Sequence, residues 1–149
     1  MMLKKIGLAV IAVAIIVSGF FAYWYVGYQA SPDKVASDAI GEITRGDVNA
    51  FHERLSTTLK TGDQAYWQSS EVFQVLRGYK GSTKLVSKQP AISTDASQPD
   101  PYAIGTEALR FVYQMRPGDK TYQLTIDLIR DGAEEPWRIG LITGGYQAS

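Results

Sequence analysis

Apolar and polar positions change their period along the chain, and each change marks a different kind of element. From Ile6 to Tyr28 the chain is largely apolar and carries no charge. A helix crossing the hydrocarbon core of a bilayer needs about 20 such residues, because each adds about 1.5 Å of rise. The run is apolar on every side, unlike a helix with one face packed on a core. Lys4 and Lys5 precede it and no base follows until Lys34. The positive-inside bias therefore places residues 1–5 in the cytoplasm and residues 31–149 outside, as an extracytoplasmic α+β domain. Tyr23, Trp24, Tyr25 and Tyr28 gather at the far end, where amphipathic rings favour the interfacial layer. A cleaved signal peptide is the competing reading. Its apolar region is shorter, about 7–15 residues, and cuts after Ala22 or Ala30 would put Phe20 or Tyr28 where a small side chain is needed. The preferred expectation is a retained transmembrane helix over residues 6–28. Ala14, Ser18 and Ala22 recur every four residues and are a candidate helix-packing stripe; both residue types are also ordinary constituents of membrane helices.

Helical spacing continues beyond this run. Ser31 reads as an N-cap with Pro32 in the first turn and Asp33 near the positive end of the helix dipole. Val35, Ala36, Ala39, Ile40 and Ile43 follow at helical intervals, and Gly46 stops them. Asp47 opens a second helix whose apolar positions are Val48, Phe51, Leu55 and Leu59, expected to end near Gly62. A third helical stretch takes in Val72, Phe73, Val75 and Leu76, and Gly78 breaks it.

After Gly81 the period becomes two. Thr83 to Gln89 reads as a strand, and the polar segment 89–105, with Pro90, Pro99 and Pro101, as a long loop. Leu109, Phe111, Tyr113 and Met115 alternate with Arg110, Val112 and Gln114. Tyr122, Leu124, Ile126 and Leu128 alternate with Gln123, Thr125, Asp127 and Ile129, while Trp137, Ile139 and Leu141 are expected to form the inner face of a last strand. Turns are expected at Pro117-Gly118-Asp119 and Asp131-Gly132. Helices first and an antiparallel meander last predict an α+β domain, with helices packed on a curved antiparallel sheet.

Composition narrows the function classes. The chain holds 15 bases and 15 acids; setting aside Lys4 and Lys5 leaves 13 bases against 15 acids. That balance does not favour a nucleic-acid partner. Cysteine is absent, which removes disulfides, thiol catalysis and thiolate metal sites. One histidine without clustered ligand spacing supports neither a metal nor another cofactor.

The order of elements, together with the stretch PDKVASDAIGEITRGDVNAFHERLS, resembles the nuclear-transport-factor-two-like superfamily, the cystatin-like cone. Its bacterial members resemble this chain in a Pro-led first helix and in a Gly-Asp pair, here Gly46-Asp47, leading into a second helix with an aromatic such as Phe51. The resemblance covers roughly residues 31–146. Behind a single N-terminal anchor it implies an extracytoplasmic domain that binds or assembles more often than it catalyses.

Candidate chemistry is sparse. Asp127 lies mid-strand, and a carboxylate in an apolar pocket could shuttle a proton; its alternation with Gln123 and Thr125 places it on the solvent side instead. His52 could act as a base but has no evident partner, and a backbone carbonyl at the edge of the core would satisfy it. Tyr66 and Trp67 precede the third helix, either as a partner contact or closing the base of the cone. Lys84 and Lys88 share one face of a regular strand, flanking Val86, as edge protection or as a contact for an acidic partner. Tyr146, in a Gly-Gly-Tyr tail, is a further surface candidate. No catalytic residue is assigned. The expectation is a single-pass inner-membrane protein whose outer domain binds another protein, as an accessory subunit or assembly factor of an envelope complex. The alternative is a small-molecule-binding or isomerase-like domain that uses the cone cavity.

Overall fold

The computed structural model describes residues 2–29, 31–91 and 106–148. Helix α1 runs Met2–Gln29. Helix α2 (Pro32–Arg45) begins where Ser31 accepts from the Lys34 N–H at 3.3 Å and ends at Gly46, whose φ of 72° is left-handed and suits glycine. Its buried face is Val35, Ala36, Ala39, Ile40 and Ile43. Asp47 caps α3 (Val48–Glu53) by accepting from the Ala50 N–H.

The second helix does not reach Gly62. It ends at Glu53, because the next residues turn to the sheet. The Ile139 N–H donates to Arg54 O at 2.8 Å, and the Ser56 N–H donates to Ile139 O at 2.9 Å. Leu55 and Leu59 are four apart, as on a helix, but backbone bonds to a strand edge replace the helical ones between them. A 3₁₀ turn at Leu59–Thr61, α4 (Gln64–Gln68) and α5 (Glu71–Leu76) follow.

Four strands form one antiparallel meander in the order β1 (Lys84–Pro90), β2 (Glu107–Met115), β3 (Tyr122–Arg130), β4 (Arg138–Tyr146). The chain is thus α+β, with an N-terminal apolar helix and a four-stranded open sheet. Strand β1 runs into the expected loop: Pro90 pairs with Leu109 and Ala91 is buried, its N–H donating to Ala108 O. The rest of that loop, 92–105, lies outside the described residues.

Two bulges break the alternation. In β1, Leu85 pairs with Tyr113 and Ser87 with Val112, so Val86 is the extra residue. In β4, Ile139 pairs with Leu128 and Leu141 with Asp127, so Gly140 is extra. Each bulge reverses the faces beyond it. Leu141, expected on the inner face, therefore lies on the outer face beside Asp127, and Ile142 takes the inner place opposite Ile126. A Cβ on Gly140 would come within 2.9 Å of the Ile129 side chain, so glycine is what lets the chain double up here.

Helices α2 to α5 cover the inner face of the sheet. Phe51 meets Phe73 and Trp67 edge-on at 5.1 and 5.5 Å between centroids. Phe51, Phe73, Phe111, Leu124 and Ile126 are fully buried. The space between the layers is filled by these side chains, each stabilising the fold by about 1.5–3 kcal/mol.

Candidate functional site

Every residue from Lys4 to Tyr25 is exposed along α1. Ile11, Ile15, Ile16, Phe20 and Phe21 each leave more than half of their surface uncovered. Lys4 and Lys5 lie in the first turns, and the exposed rings of Tyr23, Trp24 and Tyr25 lie near the other end. Tyr28 is on the same helix, but its side chain is outside the described residues. On the Ala14, Ser18, Ala22 stripe, Ser18 Oγ donates to Ala14 O at 2.8 Å, so that hydroxyl is already bonded within its own helix.

Asp127 is not on the solvent. It keeps the outer-face parity of Gln123 and Thr125, yet its exposure is 0%. Arg110, its cross-strand partner on β2, donates through Nε and Nη2 to both carboxylate oxygens at 2.8 Å. The bulge at Gly140 sets Leu141 opposite it on the other side. Polar sequence neighbours signalled the face, but not the cover.

The lysines do not share a face. Lys84 pairs with Gln114 on the outer side, whereas Lys88, beyond the Val86 bulge, pairs with Phe111 on the inner side. Lys88 Nζ lies 5.5 Å from the Phe111 centroid and 2.7 Å from Asp33 at the start of α2. It packs at the edge of the core over Phe111 while its side chain stays 39% exposed.

Tyr66 and Trp67 part company. Tyr66 is 62% exposed, but Trp67 is 8% exposed and sits against Phe51. Trp67 is therefore core, not a surface contact. Both rings lie within the five-residue α4, and adjacency alone gave no sign of which would turn inward. Tyr146 is half exposed and belongs to β4, not to a tail; it pairs with Tyr122 and meets its ring at 5.1 Å.

The buried carboxylates, Asp127 and Glu42, are each held by an arginine. Glu42 on α2 accepts from Arg54 Nε at 2.7 and 2.8 Å. Arg54 also approaches Asp38, which pairs with Lys34. Burial raises the Glu42 pKa against the lowering pull of Arg54. Glu42, 4% exposed, was not among the sequence candidates; an acid on the same helical face as Val35 and Ala39 was the available signal. Burial, with Asp33 adding, pushes Tyr113 up to about 12, and burial, with Glu71 and Tyr146 adding, does the same to Tyr122. His52 Nε2 bonds Gly62 O at 3.2 Å. A surface cleft of about 270 Å³ opens where Ser56, Arg130, Glu135 and Arg138 meet. Its arginines are already engaged: Arg130 bonds Glu107 at 2.6 Å and stacks over Trp137, and Arg138 donates to Glu53 O. Among the described residues no group of three acids or histidines could hold a metal ion.

Compared with known proteins, the chain matches no family model, no curated protein and no solved structure.

Proposed function

We propose that the protein is a single-span membrane protein, N-terminus in the cytoplasm, whose extracytoplasmic domain binds another protein as an accessory subunit or assembly factor of an envelope complex. One observation carries this reading: α1 is long, free of charge after Lys5 and exposed on all sides over Lys4–Tyr25. Left in water, each of its large aliphatic side chains forgoes about 1.5–3 kcal/mol. A bilayer removes that penalty, and the flanking lysines and rings suit its two interfaces.

The cone superfamily is part of the same proposal. Its support is the run of helices before an antiparallel meander, and the Gly46-Asp47 corner between α2 and α3. The cavity-based alternative needs an ionisable group facing an open interior. The rings of Phe51, Phe73 and Phe111 occupy that interior, Asp127 has outer-face parity, and His52 is bonded to Gly62 O. These placements favour binding by the surface.

Carbonate-washed membranes test the anchor: the protein should stay with the pellet and retain residues 6–28. A mature form starting near Ser31 and free of lipid would sink the proposal. Purification in a mild detergent should bring down a stoichiometric membrane partner.

A further inference from the structure

The two edges of the sheet are not equivalent. Edge strand β1 is guarded. It carries a bulge at Val86, lysines at 84 and 88, and Pro90, which has no N–H to donate. These are the devices that keep an edge from recruiting another strand.

Edge strand β4 is guarded over only half its length. The outward backbone groups of Ile139 are taken by Arg54 and Ser56. Beyond the Gly140 bulge no such backbone bond covers the edge among the described residues. The Gln147 N–H donates inward to Thr121 O at 2.9 Å. By the alternation of an antiparallel ladder, Leu141, Thr143 and Gly145 also bond toward β3, and Ile142, Gly144 and Tyr146 direct their N–H and C=O groups away from it. From Ile139 to Ala148 there is no charged residue and no proline. Gly144 is glycine for an internal reason: a Cβ there would lie 2.1 Å from the Tyr122 hydroxyl. The result is a smooth, uncharged edge with no side chain at its midpoint.

We propose that this edge, Ile142 to Tyr146, pairs antiparallel with the same edge of a second copy of the chain, Gly144 facing Gly144 across a two-fold axis. In that register Ile142 stands opposite Tyr146 twice, and the outward groups of all three residues are bonded. A self-complementary patch is what a two-fold interface requires. The absence of charge means that self-pairing meets no like-charge opposition. Half-exposed Tyr146 then gains an apolar cross-strand neighbour, worth about 0.2–1 kcal/mol. The pairing does not depend on α1 crossing a bilayer, so it can fail while the anchor stands, and the reverse.

The chain has no cysteine, so single introduced thiols report proximity cleanly. In the full chain in detergent micelles, Thr143→Cys lies on the exposed outer face beside the axis, about 8 Å from its copy by strand spacing and rise. Lys84→Cys marks the guarded edge. A short bis-maleimide should convert Thr143→Cys to covalent dimer at least ten-fold more than Lys84→Cys. Tyr146→Pro removes an outward N–H and no bond to β3; added to Thr143→Cys, it should reduce dimer to the Lys84→Cys level with far-UV circular dichroism unchanged. Equal cross-linking of the two single variants overturns the proposal, as it would if β4 served a different protein. So does a folded Thr143→Cys/Tyr146→Pro protein that still dimerises. Should that double variant unfold, the comparison of the two single variants decides alone.

Discussion

Arg110 and Asp127 stand opposite each other on β2 and β3, and the guanidinium holds both carboxylate oxygens at 2.8 Å while Asp127 is entirely buried. A carboxylate without water depends on such a partner, and removing the partner costs more than the pair itself contributes.

Arg110→Met should therefore destabilise the domain by about 3 kcal/mol, the low end for such a pair because Arg110 is itself a third exposed. Adding Asp127→Leu should restore most of the loss. Urea unfolding of the full chain in micelles measures both; an Arg110→Met protein as stable as the parent would contradict the account.

Tyr122 and Gly144 form a second dependent pair. The Tyr122 hydroxyl is buried and meets no partner among the described residues. Tyr122→Phe is expected to be neutral or to stabilise by about 1 kcal/mol, since only an unsatisfied group is lost. Gly144→Ala should cost about 1–3 kcal/mol, because its Cβ meets the hydroxyl and ring carbons of a side chain with no room to move. Tyr122→Leu in the Gly144→Ala background should recover part of that loss. Thermal unfolding of the set orders them.

Glu42 supplies a pH test. Burial raises its folded-state pKa above 4.5, so the folded chain holds this proton more tightly than the unfolded one. Its contribution to stability then grows as pH falls through the raised value and is complete below about 4.5. The stability of the parent minus that of Glu42→Gln should increase from neutral pH toward 4.5. A decrease would mean that pairing with Arg54 outweighs burial.

Replacing both lysines before the apolar helix, Lys4→Glu with Lys5→Glu, removes the charge bias that orients it under the proposed function. Protease accessibility of a C-terminal tag should then report a mixed population in place of one orientation. An unchanged single orientation would assign the topology to something other than these residues.

Locally encoded features were legible in the residues alone. The charge-free helix, the Ser31 and Asp47 caps, the Gly46 stop and the antiparallel strands all follow from patterns within about ten residues, because hydrogen-bond geometry repeats at that range. What escaped were decisions made between distant segments. Ending α3 at Glu53 needed the edge of β4; separating an outward Tyr66 from an inward Trp67 needed Phe51; placing Lys88 and Leu141 needed bulges whose cause lies in the neighbouring strand. Asp127 shows the division most clearly. Its parity on β3 was readable from Gln123 and Thr125, but its burial depended on Arg110 and Leu141 arriving from the strands on either side. Periodicity assigns a residue to a face, and only packing across the sheet determines whether water reaches that face.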